Sequence, residues 1–132
     1  MSQENVELCL RYVDAWNRRD AEVATALFDA EGVWSPPLER ITEGRIFRGH
    51  AEIRQSLERV AEFSEESHAE YPEVHDLGDQ VLGLGRVWFR FASGVELDQE
   101  VAFLATGRNG KLVEMRTWLS HAEALEAAGL GD

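Results

Sequence analysis

From Val87 to Leu119 apolar and polar residues alternate with a period of two. Odd positions read Val87, Phe89, Phe91, Val95, Leu97, Gln99, Val101, Phe103, Ala105, Val113, Met115, Thr117 and Leu119. Even positions carry Trp88, Arg90, Glu96, Asp98, Glu100, Glu114, Arg116 and Trp118, with Ala102 and Leu104 among them. Successive side chains of a strand point to opposite faces, so this pattern predicts strands with one buried and one wetter face. Strands are expected near 67–76, 80–91, 95–106 and 111–119. Turn chemistry then sets the register. A three-residue loop Ala92-Ser93-Gly94 keeps odd residues facing odd ones and puts glycine where positive φ is needed. It pairs Arg90 with Glu96, Trp88 with Asp98 and Arg86 with Glu100. The same parity argument selects Arg108-Asn109-Gly110 for the next hairpin, pairing Phe103 with Met115 and Val101 with Thr117.

The first half of the chain has helical spacing instead. Val6, Leu10, Val13 and Trp16 recur on one face of residues 4–17, with Leu8, Cys9 and Tyr12 widening the stripe. Asp20 is placed to cap a second helix whose Val23, Ala24, Leu27 and Phe28 face inward. Val33 and Trp34 suggest a short strand, ended by Pro36-Pro37 because proline cannot donate to a ladder. Residues 37–48 form a loop over the domain's mouth in this reading. Gly49 opens a third helix with Ile53, Leu57 and Val60 inward, and Ser120-His121-Ala122-Glu123 is a capping box for a short last helix. Helices first and an antiparallel meander afterwards make the chain α+β. The economical architecture is one domain over 1–132, a strongly curved antiparallel sheet wrapped around the N-terminal helices like a cone.

Composition narrows the function. The chain has 132 residues, 44% of them hydrophobic, and a formal net charge of −12. That charge repels phosphate backbones and anionic membranes, so neither is an expected partner. No apolar run approaches the ~18 residues of a membrane span, and a cytoplasmic protein is expected. Cys9 is single, which leaves no intrachain disulfide and no zinc site. His50, His68, His75 and His121 lack metal-ligand spacing, so no metal or other cofactor is expected.

Further runs identify a resemblance. Arg11-Tyr12-Val13-Asp14-Ala15-Trp16-Asn17-Arg18-Arg19-Asp20, Phe47-Arg48-Gly49-His50-Ala51-Glu52-Ile53-Arg54, Ser93-Gly94-Val95-Glu96 and Asn109-Gly110-Lys111-Leu112-Val113 resemble the nuclear transport factor 2-like superfamily. With the ending Glu123-Ala124-Leu125-Glu126-Ala127-Ala128-Gly129-Leu130, the likeness is to its SnoaL-like polyketide cyclase branch. The resemblance implies a cone-like α+β barrel with an apolar pocket, commonly dimeric. Members include cyclases, ketosteroid isomerases, dehydratases and epoxide hydrolases. Isomerase chemistry needs a base beside a carbonyl and two donors for the enolate. Tyr12 falls where the family has its tyrosine donor. The base position falls at Pro36 and the second donor at Val101, and Phe103 stands where many relatives have histidine; none of the three serves those roles.

The reading that follows is a site for a small, mostly apolar molecule, lined by Tyr12, Trp16, Phe28, Trp34, Phe47, Gln99, Val101, Phe103 and Met115. Hydrogen bonds to the ligand are expected near Tyr12 or Gln99. Asp98 and Glu100 fall outside by parity, and Cys9 reads as a core residue. Trp88 and Trp118 project from the outer face with Leu82, Leu84 and Leu104, and that face is expected to join two subunits. The alternatives are a cyclase- or isomerase-type enzyme acting on a carbonyl compound and a pocketless dimerisation module.

Overall fold

The computed structural model describes residues 2–36 and 46–131. Helix α1 runs Ser2–Asn17 and α2 Ala21–Ala26, followed by strands β1 Phe28–Ser35 and β2 Phe47–Arg48. Helix α3 is Gly49–Phe63; strands β3 Ser64–Asp76, β4 Gln80–Phe91, β5 Glu96–Arg108 and β6 Lys111–Trp118 follow, and α4 is His121–Ala127. The fold is α+β, with one six-stranded sheet ordered β2-β1-β6-β5-β4-β3. The helices α1 and α3 lie against its inner face, and Leu8, Tyr12, Ile53, Phe103 and Met115 share one buried cluster between them. The β1–β6 pair is parallel, a departure from the all-antiparallel expectation. The expected mouth loop over 37–48 falls largely outside the described residues; Phe47-Arg48 is a strand paired with Val33 and Trp34.

The local signals at element ends behave as the chemistry dictates. The Asp20 carboxylate accepts a hydrogen bond from the Val23 amide, and the Ser120 hydroxyl accepts one from the Glu123 amide. Helix α2 is shorter than expected. Val23 points to solvent, and Phe28 begins β1 rather than closing the helix, so its ring enters the core from the sheet. Two side chains fasten the α1 end to the sheet. The Asn17 carboxamide accepts from the Ala69 amide at 2.8 Å and donates to the Ala69 carbonyl at 2.9 Å, acting as a third strand beside β3. Arg19 holds a positive φ of 58° and sends its guanidinium to the Ala61 and Ser64 carbonyls at the end of α3. Those carbonyls carry the negative end of the helix dipole, so a cation there is stabilising.

The β4–β5 hairpin has the expected register throughout: Arg90 opposes Glu96, Trp88 opposes Asp98 and Arg86 opposes Glu100, with Gly94 at φ +89°. The ion pairs do not follow the partners of this hairpin, however. Arg86 binds Asp98, Arg90 binds Glu65 and Glu66 of β3, and Glu100 accepts from the His121 amide at the start of α4. The next hairpin corrects the expectation by two residues. Phe103 opposes Thr117 and Ala105 opposes Met115. Asn109 and Gly110, at φ +54° and +76°, close a two-residue turn between Arg108 and Lys111. A bulge beyond Gly107 then inserts one extra residue on β6, which restores the parity. Beyond the bulge odd residues such as Met115 still face inward, though with other partners, while Leu112 before it joins the inner cluster.

Helix α4 packs on the outer face. Leu82, Leu84, Ala102 and Leu104 form a cluster with Ala124, Leu125 and Ala128, and Trp118 joins its edge. The chain's own last helix thus covers the leucines that were expected to meet a second subunit.

Candidate functional site

The curvature that makes an interior comes from β3 and β4. Strand β3 loses its pairing between Glu70 and Glu73, around Tyr71 and Pro72, and folds toward the sheet's inner face. Two glycines on the inward parity of β4 permit this. A methyl group at Gly83 would meet the Phe103 ring at 2.2 Å, and one at Gly85 would meet the Glu70 carbonyl oxygen at 1.7 Å. With no side chain there, Phe103 lies flat over β4 and Tyr71 swings across it, the two rings edge to face at 4.8 Å.

Between this folded sheet, α1 and α3 lies a cavity of about 230 Å³. Helix α1 contributes Tyr12, Val13 and Trp16; β1 and β2 contribute Trp34 and Phe47; α3 contributes Gln55, Ser56, Arg59, Val60 and Phe63. The sheet adds Ser64, Ala69, Tyr71, Val87, Phe89, Phe91, Leu97, Val101, Phe103, Met115 and Thr117, and Pro36 and Leu119 stand just past the ends of β1 and β6. Of the expected site residues, Tyr12, Trp16, Trp34, Phe47, Val101, Phe103 and Met115 stand in this wall. Two expected residues are not among the described wall residues. Phe28 is buried behind it, its ring edge-on to Tyr12 at 5.7 Å. Gln99 keeps the inward parity opposite Val87 but is not part of the lining.

The wall is apolar with a few hydrogen-bonding groups. Burial raises the Tyr12 phenol well above its ordinary value, with Tyr71 beside it as the second cause, and burial alone raises Tyr71. Both hydroxyls therefore stay protonated and can donate. The Thr117 hydroxyl donates to the Ser35 carbonyl, holding β6 to β1, and the Ser64 hydroxyl donates to the Val60 carbonyl. The Trp34 indole N–H is buried with no hydrogen-bond partner among the described residues. Such an orphan donor is unusual in a folded interior.

Among the described lining residues none is Asp, Glu or His, so none is a carboxylate or imidazole base. Asp98 and Glu100 lie on the outer face, where Asp98 pairs with Arg86 and Glu100 holds the start of α4. His50 sits outside the wall with Nε2 on the Phe28 carbonyl, and His121 binds the Gly85 carbonyl. No three His, Cys, Asp or Glu side chains come together as a metal set among the described residues. Burial pushes the Cys9 thiol up to about 12, so it is not a thiolate at neutral pH. No helix among the described residues is long and apolar enough to cross a membrane.

Sequence reasoning missed Tyr71 and the α3 contribution. The signals were present: Pro72 interrupts β3, Gly83 and Gly85 hollow β4, and Ser56, Arg59, Val60 and Phe63 share one helical face beside the Ile53–Leu57 stripe.

Comparison with known proteins agrees with this architecture. The SnoaL-like domain model matches residues 10–115. TerC, crystallised with polyporic acid, superposes with a TM-score of 0.79 at 22% identity, covering 93% of this chain and 96% of that one. A nuclear transport factor 2-like protein of unknown function from Burkholderia pseudomallei gives 0.80 at 19% identity, covering 93% and 95%. A protein from Catenulispora acidiphila with a ketosteroid isomerase-like fold, in complex with trimethylamine, gives 0.77 at 18%, covering 94% and 93%. At these identities the likeness to the solved structures concerns the fold. No curated protein matches the chain.

Proposed function

We propose that this chain, which belongs to the SnoaL-like domain family, binds a small and mostly apolar molecule in the interior of its curved sheet. The observation that carries the reading is the cavity of about 230 Å³, walled by aromatic and aliphatic side chains around a few hydroxyls. An apolar cavity of ~150 Å³ is enough for benzene, whereas pockets for drug-sized ligands run ~300–1,000 Å³. The fitting ligand has one or two rings, or has a larger body that leaves by the mouth between Phe63, Phe91 and Leu97. Tyr12 and Tyr71 are its hydrogen-bond donors. An enzyme of the polyketide cyclase or isomerase type draws less support, because the described wall offers donors for a carbonyl but no base beside it. TerC and the trimethylamine complex are relatives of the same fold with small molecules bound, which fits a ligand-holding interior. The setting in this reading is the cytoplasm, where the single Cys9 stays reduced.

A thermal-shift screen with one- and two-ring ketones, phenols and quinones tests the reading. A ligand at about a hundred times its Kd adds about 2.7 kcal/mol to the folded state, so the midpoint should rise by several degrees. Leu97→Trp, which pushes an indole into the mouth from a half-buried position, should remove the rise. No shift with any member of the panel would favour a plugged interior that works by association.

We also propose a homodimer through what α4 leaves open on the outer face. Trp88, whose indole donates to Glu96, and Trp118, stacked under Arg116 at 5.3 Å, are both half-buried there. Light scattering at micromolar concentration should give about twice the 14.9 kDa chain mass. A monomer would end that idea without touching the ligand reading.

A further inference from the structure

We propose that the ligand is an apolar anion, such as an aromatic carboxylate, and that Arg59 at the cavity mouth is the residue that selects it. The inference rests on the ligand-binding reading above and names the class of molecule the site prefers. It starts from a charge asymmetry. The chain carries 25 acidic against 13 basic residues, yet the described wall of the cavity holds no acid and one base, Arg59.

The placement of Arg59 follows from helix geometry. Ser56, Arg59 and Phe63 recur three and four apart on α3 with Gln55 beside them, so they share one face that lines the cavity, Ser56 buried and Arg59 and Phe63 at its exposed end. Arg59 is exposed and makes no ion pair among the described residues. Of its acidic neighbours, Glu58 pairs with Arg54 at 3.6 Å, and Arg90 holds Glu65 and Glu66. Glu62, three residues on, makes no ion pair with it. The end of α3 would itself repel an anion through its unpaired carbonyls, but the Arg19 guanidinium occupies those of Ala61 and Ser64. An anion at the mouth therefore meets a guanidinium with no ion pair among the described residues and a neutralised helix end, while its apolar body enters the aromatic wall. A planar carboxylate suits the two-pronged geometry of guanidinium.

The long-range repulsion from a net charge of −12 slows the approach of an anion but does not reverse the local preference. Beyond the Debye length of ~8–10 Å the outer acids are screened, and the engaged ones are paired.

The test is isothermal titration calorimetry at pH 7.5 with two probes of one shape, 2-naphthoate and the neutral 2-acetonaphthone. Wild type should bind 2-naphthoate about tenfold more tightly, the scale of one charge-assisted contact beside an apolar wall. Arg59→Gln should remove that preference by weakening 2-naphthoate far more than 2-acetonaphthone, Arg59→Lys should keep part of it, and the same change at Arg108, an exposed arginine outside this wall, should keep all of it. An unchanged melting midpoint in each variant shows that folding is not the cause, since both arginines are exposed. Equal affinity for the two probes in wild type, or a preference that survives Arg59→Gln, would overturn the anion assignment and leave the apolar site standing. Binding of neither probe would overturn both.

Discussion

Gly85→Ala should lower the melting midpoint by about 10 °C or more, corresponding to about 3 kcal/mol at this chain length. The added methyl would stand 1.7 Å from the Glu70 carbonyl oxygen and 2.8 Å from the Tyr71 Cα. Both are backbone atoms, so no side-chain rotation relieves the overlap and the bend of β3 has to open. An internal comparison separates this from the ordinary effect of removing a glycine. Gly94 holds φ +89° with nothing near its missing Cβ, so Gly94→Ala strains only the turn. That costs ~1 kcal/mol. Thermal unfolding of the two variants side by side checks the ranking, and equal midpoints would show that the β3 bend does not depend on Gly85. The effect should also reach the site, because the same bend carries Tyr71 over Phe103.

This bend marks the boundary of what the sequence discloses. Alternation from Val87 to Leu119 decides which residues face inward, because the period of a strand is two whatever its curvature. The pairing of β4 with β5 was legible to the residue, since Gly94 left one loop length consistent with parity. Pairing of β5 with β6 was not. An Asn-Gly turn plus a bulge preserves parity just as a three-residue loop does, so the face came out right and the partners two residues off. Periodicity likewise placed Tyr12, Trp16, Phe103 and Met115 toward one interior but was silent on its depth. Phe28 counts as inward in any pattern, yet it lies behind Tyr12 rather than beside the space. Tyr71 belongs to the wall only because β3 folds at Pro72, a tertiary event with no period of its own. Arg59 was illegible for a different reason: an arginine on a helix reads as surface until the neighbouring strand shows what that surface borders.

Phe103→Ala should separate the ligand-holding interior from a plugged one, and its effect on stability should be the larger of the two core changes. Phe103 is 2% exposed, stacks edge-on with Tyr71, fills the hollow above Gly83 and forms part of the cavity wall. Truncating a buried phenylalanine removes its transfer energy and leaves an unfilled volume, together ~3–5 kcal/mol. Denaturant unfolding should show that loss with an unchanged slope, meaning a weaker core rather than a changed fold. The functional consequence depends on whether the cavity is continuous with the space the ring vacates. Because Phe103 lines both, the variant's interior should enlarge at the existing site rather than open a sealed void. Ligands one ring larger than the best wild-type binder should then bind the variant more tightly, and they should restore part of its lost stability by mass action. If the interior is instead a packed plug, the truncation opens an isolated hole. Benzene-sized molecules should then stabilise the variant, while the larger ligands have no effect on either protein.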